Sequence, residues 1–336
     1  MKTIIIAEIS ANHGQDIEIA LATIKAAKEA GADAVKLQTY TPDTMTLDCN
    51  NEYFQIKQGT IWDGQTLYEL YKEAYTPWEW HKELFRYANE IGMEIFSTPF
   101  DFTAVDLLES LNVNKYKIAS FEITDTPLVE YSASKGKPMI ISTGIATLNE
   151  IDEAVQACRR MGNDDITLLQ CTSQYPAEPT DANLLTMIDM KKRFDVKVGL
   201  SDHTLGSEVA LLAVAMGSDI IEKHFILDRA IGGPDAAFSM LPHEFKEMVE
   251  QIRRVEEILG EVSYELTEKK KASRTFARSL FVVCDVKAGE TITVDNVKSI
   301  RPGYGISPKY LGQILGKRFV KDIERGTPVS WDIIER

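Results

Sequence analysis

Short apolar runs alternate along the chain with longer segments whose apolar positions recur every three or four residues. The runs have the pattern of buried strands and the longer segments that of one-sided helices. Runs at 3–10, 33–38, 93–98, 115–120, 138–143, 166–172, 196–201 and 219–224 predict eight strands. Helical spacing over 17–30, 77–91, 101–110, 125–135, 147–161, 181–193, 206–216 and 242–259 predicts a helix after each strand. Only the second connection is long, with about forty mostly polar residues before its helix. Eight βα units in about 260 residues fit a closed (β/α)8 TIM barrel. A doubly wound sheet fits less well, because no glycine-rich dinucleotide loop follows the first strand.

The pattern changes after Gly260. Residues 263–277 are polar and increasingly basic, as expected of a linker between a barrel over 1–262 and a second domain over 278–336. That tail has short strand patterns, glycine turns, and two similar stretches, DVKAGETIT (285–293) and DIERGTPVS (322–330). It reads as a small β-rich module. Ten basic residues against seven acidic ones give it a positive balance in a chain whose formal charge is −14.

The overall negative charge argues against nucleic acid or an anionic membrane as partner. The apolar run at the N-terminus is broken by Glu8, too early for a membrane span or leader. Four cysteines without regular spacing point to reduced thiols in the cytoplasm rather than a disulfide framework.

Candidate chemistry gathers where the strands end, which is the catalytic face of such barrels. The strand ends bring Glu8, Lys36, Gln38, Thr98, Lys117, Ser120, Ser142, Ser173, Tyr175 and Ser201, with Glu122 just beyond strand four. Lys36 and Lys117 sit in apolar surroundings (AVKLQ, YKIAS), where an unpaired ammonium is costly. They answer either to an anionic small molecule or to carboxylates of the chain itself. His203 and His224 close consecutive strands, so they can form a labile metal site completed by water and substrate, or a hydrogen-bonded core pair. His81 and His243 are expected at the surface of helices.

The stretches AEISANHG (7–14), ADAVKLQTY (32–40), STPFD (97–101), YKIAS (116–120), STGIAT (142–147), CTSQYP (171–176), GLSDHT (199–204) and IEKHFILD (221–228) resemble the sialic acid synthase family in order and spacing. ARSL (277–280), DVKAGE (285–290), IRPGYG (300–305) and LGKR (315–318) are similar to the antifreeze-like (SAF, β-clip) domain at the C-terminus of those enzymes. The resemblance implies condensation of phosphoenolpyruvate with the open-chain aldehyde of an amino sugar, with water added and phosphate released. It assigns the phosphoenolpyruvate to Lys36, Thr98, Lys117, Ser120, Ser142, Ser173 and Ser201. The sugar falls to Glu8, Gln38, Glu122, Tyr175, Asp235 and Arg301, with Glu8 as base or anchor. It further implies a divalent ion on His203 and His224, Mn²⁺ or Mg²⁺ with Co²⁺ a further candidate, and a domain-swapped homodimer in which Arg301 acts on the partner's substrate. Ser173 departs from the asparagine usual in CTN-x-YP.

The segment TIWDGQTLYELYKEAYTPWEWH (60–81), with CTS-x-YP, resembles the pseudaminic branch of that family more than the neuraminic or legionaminic ones. Its aromatic residues, Trp62, Trp78 and Trp80 among them, suit a deoxygenated diacetamido sugar or simply pack the insertion. Two rivals stand beside this reading. One is a Schiff-base pyruvate aldolase using Lys36 or Lys117; the other is a non-catalytic sugar- or ice-binding protein.

Overall fold

The computed structural model describes residues 2–57, 59 and 62–336. Eight parallel strands close a barrel: β1 (Ile4–Glu8), β2 (Ala34–Thr39), β3 (Glu94–Pro99), β4 (Tyr116–Ile118), β5 (Met139–Ser142), β6 (Ile166–Cys171), β7 (Lys197–Asp202) and β8 (Ile220–His224). β8 pairs back onto β1, so no strand edge remains. The strands are short and nearly continuous in apolar residues because their outer faces are covered by helices. The eight predicted helices form within a few residues of their expected limits. Asp16, Asp101, Asp125 and Thr147 cap four of them by accepting hydrogen bonds from first-turn amides.

Two predicted stretches carry more structure than expected. The long second connection contains helices at Pro42–Met45 and Leu67–Ala74, each with a capping box, and a bridge between Gln55 and Thr66. Threonine caps override the low apolar content that reads as coil. Likewise the linker region holds a short helix, Glu268–Ser273, capped by Thr267.

The chain divides into two compact units, Met1–Gly260 and Glu261–Arg336. In the second unit β9 (Ser279–Val282) and β10 (Val297–Ile300) pair antiparallel over a small core that includes Leu280, Phe319 and Ile333. The two similar stretches of the tail pair with each other, Val286 and Ile323 exchanging both backbone hydrogen bonds at 2.9 and 3.0 Å.

In the barrel wall the register sets Ser201 beside Glu222 and Asp202 beside Lys223. Successive side chains point to opposite faces of a strand. Glu222 and His224 therefore face one way and Lys223 the other. Lys223 is fully buried, with Nζ 2.7 Å from Asp202 Oδ2 and 2.6 Å from the Thr204 carbonyl. Asp202 in turn accepts from the Thr204 amide and hydroxyl. This closed network locks β7 to β8 behind the two histidines. Lys223→Met should leave Asp202 buried without its counter-ion and destabilise the protein by about 3–5 kcal/mol. A lowered urea midpoint would record this, and an unchanged midpoint would refute it.

Candidate active site

The barrel's C-terminal mouth holds an array of buried charges. Lys36 Nζ lies 2.9 Å from Glu8 Oε2 and 2.9 Å from Glu222 Oε1. Lys117 Nζ lies 3.4 Å from the same Glu222 oxygen, and Ser201 Oγ donates to it at 3.0 Å. Of the two possibilities open for the lysines, pairing within the chain is therefore realised, but unequally. Burial works against the charge of Lys36, yet Glu222 and Glu8 more than offset it and its pKa is raised. For Lys117 burial wins, aided by Lys36 and only partly countered by Glu222, and its pKa is lowered. Lys117 is thus the less compensated ammonium. Burial also raises Glu8, against the pull of Lys36.

Beside this array, Gln38 Nε2 donates to Glu8 Oε1 at 3.3 Å and to Ser10 Oγ at 3.0 Å. Ser10 Oγ donates to Asp235, which also accepts from the Ala11 amide at 3.3 Å. The hydroxyls of Thr98 and Ser142 are buried with no hydrogen-bond partner. Buried polar atoms are rarely left so, and here they mark where a ligand's acceptors would sit.

Ser120, Ser173 and Gly144 form a second polar corner. The Gly144 amide donates to Ser120 Oγ at 3.1 Å. A β-carbon on Gly144 would stand 2.3 Å from Ser173 Oγ and 2.9 Å from Ser120 Oγ, so only glycine admits both hydroxyls.

His203 and His224 are brought together, ring centres 5.3 Å apart, with Tyr175 against both at 4.4 and 6.3 Å. His203 Nδ1 lies 2.9 Å from the Thr172 carbonyl, which can only accept, so Nδ1 carries a proton and donates there. His224 Nδ1 is buried without a partner, and burial holds that imidazole neutral, far below its ordinary pKa. An imidazole held neutral by burial and a second oriented by a carbonyl behind it suit a divalent ion. No group of three or more His, Cys, Asp or Glu among the described residues is placed to hold a metal, so water or substrate would complete the shell.

Of these groups, Ser10, Gln38, Ser173, Tyr175, His224 and Asp235 line a cavity of about 640 Å³. Gln38, Glu122, Ser173, Tyr175, His224 and Asp235 supply polar lining, while Met45, Trp62, Leu70, Tyr71, Phe100 and Phe121 make the rest largely apolar. Of the three insertion tryptophans only Trp62 reaches it. Trp78 donates to the Tyr40 carbonyl at 3.0 Å, and Trp80 packs edge-on against His13. Thr60 and Ile61 of the same segment lie outside the described residues. Arg301 is exposed in the second unit.

One expectation is overturned. His81 is fully buried, not at the surface, although His243 is exposed as expected. His81 Nδ1 donates to the Pro77 carbonyl at 3.2 Å, so Nε2 accepts from Thr39 Oγ1 at 2.8 Å, and Thr39 Oγ1 accepts from Ser97 at 2.6 Å. Burial lowers His81 to about 4 and keeps it neutral. It thereby ties the insertion to the ends of β2 and β3, next to Gln38 and Thr98. Sequence reading also gave no role to Glu222, Ser10 or Gly144, although each lies inside a motif it quoted.

Residues 23–264 match the NeuB family and residues 277–335 match the SAF domain. The chain is 51% identical over 333 residues to a pseudaminic acid synthase of Helicobacter pylori, covering 99% of this chain and 98% of that one. It is 39% identical to an N,N'-diacetyllegionaminic acid synthase of Legionella pneumophila, covering 100% and 95%. Among solved structures, the N-acetylneuraminic acid synthetase of Leptospira borgpetersenii superposes with a TM-score of 0.73 at 32% identity, over 81% of this chain and 90% of that one. The chain belongs to the NeuB family.

Glu122 gives the site a measurable pH signature. Burial, only partly offset by Lys117, pushes its carboxyl up to about 7. Folded Glu122 therefore keeps a proton that the unfolded chain releases at the ordinary carboxylate pKa. Its stabilising contribution is full below that value and is lost as pH rises through about 7. Glu122→Gln should flatten this part of the stability–pH curve; an unchanged slope would place the carboxyl at an ordinary pKa.

Proposed function

We propose that this protein condenses phosphoenolpyruvate with 2,4-diacetamido-2,4,6-trideoxy-L-altrose, as the open-chain aldehyde, and water to give pseudaminic acid and phosphate. The observation that carries this reading is one cavity with two characters. Its polar side adjoins lysines and hydroxyls suited to a phosphorylated carboxylate, and its apolar side suits a sugar with a methyl and two acetamido groups. The stronger similarity to the pseudaminic than to the legionaminic relative supports the same sugar over its mannose-configured isomer.

In this reading Lys117, Lys36, Thr98, Ser142, Ser201 and the Ser120–Ser173 corner bind the anion. C3 of phosphoenolpyruvate bonds to the aldehyde carbon, whose oxygen takes up a proton. Water adds at C2 and gives up a proton, and the C2–O bond breaks to release phosphate. Glu8, held at a raised pKa, and Glu122 are the carboxyls placed to accept or return these protons. Gln38, Tyr175 and Asp235 orient the sugar, Asp235 itself being fixed by Ser10. His203 and His224 would hold the divalent ion, Mn²⁺ or Mg²⁺, which when bound polarises the aldehyde oxygen as a Lewis acid. A homodimer that exchanges its tail units would bring Arg301 to the partner's sugar, and the reaction would take place in the cytoplasm. No helix among the described residues is long and apolar enough to cross a membrane.

Phosphate release should be measured with phosphoenolpyruvate, Mn²⁺ and each of three sugars: the altrose-configured substrate, its mannose-configured isomer, and N-acetylmannosamine. The first should turn over at least tenfold faster, since a misplaced polar group in a fitted site costs about 1.4 kcal/mol or more. Equal rates, or turnover of N-acetylmannosamine alone, would sink the assignment. In the same assay Gly144→Ala should raise the KM for phosphoenolpyruvate about tenfold or more by displacing two hydroxyls from the anion, with folding unchanged by circular dichroism. An unaltered KM would remove that corner from the site.

A further inference from the structure

Three of the side chains assigned to the anion meet at a single atom. Lys36 from β2, Lys117 from β4 and Ser201 from β7 all converge on Glu222 Oε1, at 2.9, 3.4 and 3.0 Å. The other oxygen, Oε2, is buried with no hydrogen-bond partner. Glu222 itself is almost fully buried on β8, directly beside Ser201 in the parallel register. Lys36 has a second carboxylate in Glu8, whereas Glu222 is the only carboxylate within ion-pair distance of Lys117 among the described residues. A long, flexible lysine held by nothing else takes its direction from that oxygen.

We propose that Glu222 is a positioning residue, which gathers Lys36, Lys117 and Ser201 from three strands and presents them to the substrate anion in one fixed arrangement. This rests on the assignment of phosphoenolpyruvate to the site. The pieces are separated by large stretches of chain, so the arrangement depends on the reach of one side chain and not on local sequence. An anion entering the mouth then meets donors that have already lost their freedom, and the ordering cost of binding is correspondingly small.

Two substitutions separate reach from charge. Glu222→Asp keeps the charge but withdraws the acceptor by about 1.5 Å, one carbon–carbon bond. Glu222→Gln keeps the reach and an acceptor oxygen while making the site one unit more positive. Binding of phosphoenolpyruvate would be followed by titration calorimetry with Mn²⁺ present and without sugar, and folding by circular dichroism and thermal melting. We expect Glu222→Asp to bind about tenfold or more weakly and Glu222→Gln to bind no more weakly than wild type. In turnover, the KM for phosphoenolpyruvate should rise in the aspartate variant while the KM for the sugar stays within twofold. Wild-type affinity in Glu222→Asp would overturn the proposal. So would tenfold weaker binding by Glu222→Gln, a result that decides the matter even if the aspartate variant fails to fold. Wild-type protein that binds no phosphoenolpyruvate would instead overturn the substrate assignment beneath it.

Discussion

Putting charge inside a barrel that is closed on every side is the constraint around which this protein is organised. Glu8, Lys36, Glu222 and Lys117 lie inside the mouth, and none of them has water enough to pay for its charge. They persist because they alternate in sign and share contacts, with Lys36 between two carboxylates and Glu222 between two ammonium groups. A set of this kind is costly to take apart one member at a time. It is rigid for that reason, and the hydroxyls left without partners around it are held ready for an incoming ligand.

The same economy recurs on the other face of the wall. Strand alternation sends Lys223 outward between Glu222 and His224, and Asp202 outward between Ser201 and His203, and these two outward residues pair. The inward groups of β7 and β8 thus have an ion pair behind them. Lateral movement of β7 against β8, which would change the spacing of the histidines, would have to break that pair.

The sequence announced the barrel because each strand is a short apolar run closed by polar residues, a rhythm that few other folds share. The convergence of Lys36, Lys117, His203 and His224 followed from strand order alone. What escaped notice depends on distances across the barrel. Glu222 is separated by long stretches of chain from the lysines it joins, and spacing along a chain does not reveal the stagger that brings them to one oxygen. Nothing in STGIAT tells that Gly144 faces the hydroxyls of Ser120 and Ser173, which come from other strand ends. His81 was misplaced because a histidine at a helix start was taken as a surface residue, whereas it lies three, four and seven residues before Leu84, Phe85 and Ala88, on the stripe that the helix buries. The long second connection was read as coil, since its helices are short and begin at threonine caps instead of on a strong apolar stripe.

The insertion after β2 has a consequence of its own. It brings Met45, Trp62, Leu70 and Tyr71 to the cavity, yet it is moored to the barrel at a few points: the Thr39–His81–Ser97 chain, the Trp78 indole on the Tyr40 carbonyl, and Thr76 beside His13. The buried charges of Glu8, Lys36, Lys117 and Glu222 come instead from the barrel strands. Much of the cavity's apolar wall is therefore carried by one connection, and rewriting that connection would reshape the cavity while the buried charges beneath it stay as they are.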